Sequence, residues 1–295
     1  MTRIHFGPNV ASDMLPLFTH PEQWPIARAE IATIQLYVQN ILANQPNEIG
    51  VGPNTYPALC DVQAFDLLDE WAIDLCIEAG AVKSWSKDGV DALHGILTAI
   101  QRVTDAGGIV ESVVLDEPKG AQETCGLTDD QIVKATCYVI DGIRAAGVQQ
   151  VGLVEPYPYI RMEPLVHFFE ALQQAGSSPS FWHLDVDRFG IRDQRLNDKQ
   201  VSHDLKWAQS QCAAWGIPFG VVIFGQRVLT DAGYVQSALA WARQLHTYLQ
   251  GWPDRLIVQS WEQARDGTLT LPKNLPESDA TSHTWLANAI QEMTQ

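Results

Sequence analysis

The sequence predicts a single (β/α)8 barrel, the TIM-barrel architecture, with residues 1–295 as one domain. Three observations predict it. Eight short apolar runs alternate with amphipathic stretches from one end of the chain to the other. The length, 295 residues, suits one barrel, for which about 250 is typical. The first run is followed by Pro-Asn-Val-Ala-Ser and not by a G-x-G-x-x-G turn, which disfavours an open nucleotide-binding sheet. No linker-like segment divides the chain.

The runs are 3–9, 33–39, 72–80, 109–118, 150–158, 181–187, 218–226 and 255–262. Each is rich in β-branched or aromatic residues and ends in polar, Gly or Pro residues, the pattern of a buried parallel strand. After the second run, 45–57 is dense in Pro, Gly and Asn and reads as a long loop over the active-site face. Helical periodicity follows at 89–106, 128–147, 163–176, 198–216 and 231–251. Gly147, Gly176 and Gly216 are placed to end three of these helices in the left-handed conformation. Thr128 with Gln131 has capping-box spacing, and Asp198 and Asp231 are candidate N-caps. The segment 277–293 supplies the last helix.

Composition narrows the function. The net charge is −16 and the pI about 4.7, so the chain lacks the basic footprint that nucleic acid requires. Most of that acidity serves solubility. A neutral carbohydrate remains compatible as substrate. Five cysteines at wide spacings, Cys60, Cys76, Cys125, Cys137 and Cys212, indicate neither a disulfide framework nor a structural zinc site, and read as small buried apolar residues. No apolar run approaches the ~18 residues of a membrane span. The amino terminus shows no signal-peptide pattern, so the expected location is cytoplasmic, or secreted or periplasmic if a leader was removed. Of the ten tryptophans, Trp71, Trp207, Trp215, Trp241 and Trp285 fall on or beside helical patterns and are expected to pack.

In this architecture active sites form at the carboxyl ends of the strands. The first strand ends at Asn9, the second at Tyr37 and Gln39, and the third at Glu78. The fourth ends at Asp116-Glu117-Pro118 and the fifth at Glu155-Pro156-Tyr157. The sixth carries Asp185 and Asp187, the seventh Gln226, and the eighth Gln259 and Trp261. Strands three to six thus all end in carboxylates. Like charges gathered at one mouth are costly and push pKa values apart, which suits a reaction needing one protonated and one ionised carboxyl. The structural alternative is that each acid caps the next helix or pairs with a base such as Lys83, Arg161 or Arg188. Alternation puts His183, Asp185 and Asp187 on one face of strand six, Asp74, Cys76 and Glu78 on one face of strand three, and Ser112, Val114 and Asp116 on one face of strand four. Glu117 can reach the pocket where that strand bends into its loop.

Leu-Asp-Glu-Pro at 115–118 resembles the Asn-Glu-Pro that closes strand four in the large clan of retaining (β/α)8 glycoside hydrolases. Ile-Val-Gln-Ser-Trp-Glu at 257–262 also looks like that clan's last strand. The resemblance implies Glu117 as general acid/base and Trp261 as the platform under the cleaved sugar. Two positions depart from it: Asp116 stands where the clan has Asn, and strand seven ends in Gln226 where the clan has its nucleophilic Glu. The second carboxylate must then come from Asp185, Glu155 or Glu78, and Asp116 or Glu117 paired with Asp185 is the first choice. The expected function is therefore a glycosidase with catalytic residues among Glu117, Asp185, Asp116 and Glu155. Substrate contacts are expected from Asn9, Tyr37, Gln39, Glu78, Tyr157, Asp187, Gln226, Gln259 and Trp261, with neither cofactor nor metal. Two alternatives stand beside it. One is a metal-dependent sugar isomerase or epimerase using Glu117, Glu155, Asp185 and His183. The other is a carbohydrate-binding barrel without catalysis.

Overall fold

The computed structural model describes residues 2–9, 14–263 and 270–295. Eight parallel strands close into a barrel in sequence order: β1 Arg3–Gly7, β2 Ile31–Tyr37, β3 Asp74–Gly80, β4 Ser112–Asp116, β5 Gln150–Tyr157, β6 Trp182–Val186, β7 Phe219–Ile223 and β8 Arg255–Gln259. Closure is made by β1 on β8, in register from Arg3 opposite Arg255 to Gly7 opposite Gln259. Each strand is buried almost throughout, because side chains on one face fill the barrel and those on the other meet the helices.

The long helices Val90–Asp105, Asp129–Ala145, Met162–Gln174, Asp198–Trp215, Asp231–Leu249 and His283–Thr294 follow β3 to β8. Thr128 and Gln131 make the expected capping box. The caps of the next two helices with predicted acids shift back by one residue: Asn197 and Thr230 accept the backbone N–H bonds, and Asp198 and Asp231 become first-turn residues. Gly147, Gly176 and Gly216 are left-handed as expected. The connection after β2 is more regular than its composition suggests. Val38–Leu42 turns helical directly off the strand, and Tyr56–Asp61 and Ala64–Glu70 are helical beyond the Pro-Gly-Asn stretch.

Large aromatics weld the layers together. Trp182 faces outward from β6 onto Phe169 and Trp215, and Trp241 is fully buried with its indole N–H donated to the Val222 carbonyl. Trp71, Trp207, Trp215 and Trp285 pack against the same core. Cys76 and Cys212 are buried, whereas Cys60, Cys125 and Cys137 are only half-buried; all five are free thiols. Among the described residues no helix is long and apolar enough to cross a membrane.

Candidate active site

A cavity of about 300 Å³ opens over the carboxyl ends of the strands. Every strand from β2 to β8 contributes to its wall. Tyr37, Glu78, Asp116 and Glu117 form one side, and Val154, Asp185 and Val222 form the other; Gln259 and Trp261 close the ring. β1 contributes space instead of a side chain. A Cβ on Gly7 would stand 2.6 Å from Gln259 Cγ, so only glycine lets that amide lie across the barrel.

Gln259 and Gln35 both donate to Glu78 Oε2, each at 2.6 Å, and Gln259 also donates to the Tyr37 hydroxyl at 2.8 Å. Glu78 is pushed up to about 8, first by burial and then by the charge of Asp116, against the pull of the two amides and Lys83. Tyr37 is likewise held well above its ordinary value by burial and by Glu78.

Glu117 adopts a left-handed backbone, φ 47°, after donating its N–H to the Val154 carbonyl at 2.9 Å. That conformation breaks strand alternation, so the consecutive residues Asp116 and Glu117 both face the cavity. A non-glycine residue held there stores strain of the kind that gathers at functional sites. Lys83 folds back across Gly80, whose missing Cβ would lie 3.0 Å from Lys83 Cγ. Its ammonium reaches Asp116 Oδ2 at 2.8 Å and Glu117 Oε2 at 3.9 Å. Burial pulls Lys83 down, but the ion pair with Asp116 outweighs it and holds the ammonium above its ordinary value. Burial and Asp116 raise Glu117, with Lys83 opposing.

Asp185 projects from β6, level with Pro156 of the neighbouring strand. Its Oδ1 is buried without a hydrogen-bond partner. Burial, then the charges of Glu117 and Asp116, hold its carboxyl well above the usual range. A second cavity of about 230 Å³ adjoins the first and shares Asp185 and Trp261 with it. Asp187 and Gln226 lie on its wall. Asp187 caps the short helix Arg188–Asp193 through the Phe189 N–H and accepts the Tyr159 hydroxyl at 2.6 Å. Gln226 accepts two bonds from Arg188, at 3.0 and 3.1 Å.

Four of the residues expected at the site stand elsewhere. Val154 takes the inward face of β5, so its neighbours in the alternation, Glu155 and Tyr157, point outward. Glu155 is fully buried beneath the turn after β4, where its Oε1 accepts the Lys119 N–H at 3.1 Å, and burial holds its carboxyl well above the usual range. Tyr157 donates to Asp204 on the helix Asp198–Trp215 at 2.8 Å. Asn9 is fully buried in a reciprocal clasp: its N–H donates to Asn274 Oδ1 at 2.9 Å, its amide to the Pro272 carbonyl at 2.9 Å, and Asn274 returns a bond of 3.1 Å to the Asn9 carbonyl. Gln39 belongs to the helix Val38–Leu42, with its Oε1 buried and unpartnered.

His183, which a metal reading would recruit, lies deeper in the barrel, with its ring 5.7 Å from that of His5 and 4.7 Å from that of Phe181. Among the described residues no three His, Cys, Asp or Glu side chains gather as a metal site would require. Sequence reasoning did not single out Gln35, which shares a β2 face with Tyr37 and was legible by alternation. It treated Lys83 only as a possible structural partner, although Gly80 marks the place where a side chain folds back.

No protein-family model matches the chain, and no curated protein matches it in sequence. Solved structures do resemble it in fold. N2152 from Neocallimastix frontalis is 12% identical with a TM-score of 0.59, over 99% of this chain and 68% of its own. A family 1 β-glucosidase from Thermotoga maritima is 10% identical with a TM-score of 0.51, over 95% and 88%. A 3-keto-D-glucoside 4-epimerase from E. coli is 10% identical with a TM-score of 0.48, over 97% and 99%. At such identities the likeness is one of fold: the chain is a closed (β/α)8 barrel.

Proposed function

We propose that this chain hydrolyses a glycosidic bond, with Glu117 and Asp185 as its carboxyl pair. The observation that supports it is the meeting of these two groups over one cavity, each pushed toward its protonated form partly by Asp116. Burial first, and then neighbouring negative charge, raises both carboxyls above their ordinary values, and a pair that shares one proton would supply one acid and one base. Asp116, ion-paired to Lys83, adds its negative charge to the larger effect of burial on both groups. Trp261, 40% exposed and braced by Phe224 at 4.4 Å between ring centroids, offers a flat apolar face to the C–H side of a sugar ring.

The protonated carboxyl gives its proton to the departing oxygen as the bond from that oxygen to the anomeric carbon breaks. The ionised carboxyl either bonds to that carbon, to be displaced by water, or takes a proton from the water that attacks it. By either route one water is consumed. Its hydroxyl ends on the anomeric carbon and its remaining proton restores the pair.

The test is release of reducing ends from a broad panel of glycans and of nitrophenol from aryl glycosides. Glu117→Gln and Asp185→Asn should each lower kcat by roughly 10²–10⁴-fold, with circular dichroism unchanged. Near wild-type turnover by Glu117→Gln removes that residue from the mechanism, and an inert wild-type chain across the panel removes the proposal.

A further inference from the structure

The two cavities at the barrel mouth meet at Asp185 and Trp261, and this shared edge bears on what the site accepts. Neither exceeds about 300 Å³, the lower limit of ordinary small-molecule pockets, so each has room for about one sugar ring. The smaller one is walled by Tyr159, Phe189 and Phe224. Tyr159 is 57% exposed, so core packing does not explain its presence.

These aromatics are nonetheless held in place. Asp187 accepts the Tyr159 hydroxyl with one oxygen and the Phe189 N–H with the other. The guanidinium carbons of Arg227 and Arg192 stand 4.1 and 4.7 Å from the centroid of the Phe189 ring. Gln226, on the same wall, is fixed by Arg188, which also donates to the carbonyls of Phe224 and Ser237. A carboxylate and two guanidinium groups thus hold an aromatic wall of which Tyr159 is the part that faces solvent. Such pre-organisation lowers the entropy lost when a ring settles on it.

We propose that this second compartment is a subsite for a second pyranose ring, so that the substrate is an oligosaccharide of at least two sugars bridging the edge at Asp185 and Trp261. The proposal rests on the hydrolase reading and deepens it. One ring occupies the cavity beside Glu117, the other lies on Tyr159 with the edge of Phe189 beside it, and the bond between them passes Asp185. The compartment recognises the apolar C–H face of a neutral sugar, with the Asp187 carboxylate at hand for its hydroxyls.

Titration calorimetry tests this with cellobiose, laminaribiose, xylobiose, mannobiose and maltose against glucose, xylose and mannose. Every protein carries Glu117→Gln so that the disaccharides stay intact: that chain itself as parent, and the parent with Tyr159→Ala, with Tyr159→Ala/Phe189→Ala or with Tyr138→Ala, the last a control on the outer helix layer. At least one disaccharide should bind the parent tenfold or more tightly than its monosaccharide. That ratio should fall below threefold in the double variant, fall partway in Tyr159→Ala, and persist in Tyr138→Ala. Because Tyr159 is largely exposed, its single variant reports even if the double variant unfolds. An undiminished ratio in Tyr159→Ala and the double variant overturns the subsite, and if the wild type still releases reducing ends the hydrolase reading survives alone. Absence of binding by every sugar, with no turnover, overturns both.

Discussion

The ammonium of Lys83 lies 2.8 Å from Asp116 Oδ2, and it is carried there by a loop that folds back over the end of β3. It also stands 3.9 Å from Glu117 and restrains the upward push that burial and Asp116 exert on that carboxyl.

Replacing Lys83 by Met should therefore raise Glu117 further. If Glu117 must be protonated during turnover, the basic limb of the pH dependence of kcat/KM moves to higher pH by roughly one unit, the effect of losing a nearby opposite charge. Lys83→Arg should restore the wild-type profile. A limb unmoved in Lys83→Met would mean that Glu117 is not the group being titrated.

Glu78 makes a separate prediction about stability. Its folded value of about 8 lies above the unfolded one near 4.5, so the folded state binds the extra proton between those limits. The stability this group provides is complete below pH 4.5 and is lost as pH rises through 8. Glu78→Gln escapes that loss. Its melting temperature relative to wild type should be more favourable at pH 8 than at pH 5, by about 2 °C or more, the shift that ~1 kcal/mol produces in a large domain. Equal differences at the two pH values would contradict the raised value.

His283 predicts the opposite slope. It is fully buried against Phe6, at 4.7 Å between ring centroids, with neither ring nitrogen hydrogen-bonded, and is pushed down to about 3 by burial. The unfolded state then binds more protons, so the wild type loses stability as pH falls below 6.5. His283→Phe removes that loss. Urea denaturation at pH 7 and at pH 5 should show the variant gaining on the wild type by roughly 1.4 kcal/mol per pH unit below 6.5. A difference independent of pH would refute a neutral buried imidazole.

Asn9 supports the structure and not the cavity. Asn9→Ala leaves the Pro272 carbonyl without its amide donor in a buried setting, and should cost about 1–3 kcal/mol in denaturant. Sugar affinity of the folded fraction should hold. A stability change below ~0.5 kcal/mol would mean that the clasp carries no weight.

Most of the fold was legible because parallel-strand burial writes itself as short apolar runs, and each of the eight runs overlaps a barrel strand. Where reading slipped, a local rule had two solutions. Val38, Ile41 and Leu42 extend an apolar run as naturally in a helix as in a strand, so β2 ends at Tyr37 and not at residue 39. In β5 the acid at the strand end suggested the cavity, yet alternation fixed by Val154 turned Glu155 and Tyr157 outward. Glu117 is not such a case: the bend after β4 was expected to carry it to the pocket, and its left-handed backbone puts two consecutive acids on one side. The arrangement of Tyr159 and Phe189 depends on contacts between loops far apart in sequence, and no spacing announces those.

Gly7 has no chemistry of its own, yet the floor of the mouth depends on it. An alanine there would drive its methyl into Gln259, tilt that amide away from Glu78 and Tyr37, and leave a buried acid to find other donors. Saturation mutagenesis of the pocket would thus overlook a sensitive position unless it included a residue that lends the cavity no side chain, and substitutions at residue 7 that disturb the cavity would be mistaken for folding defects.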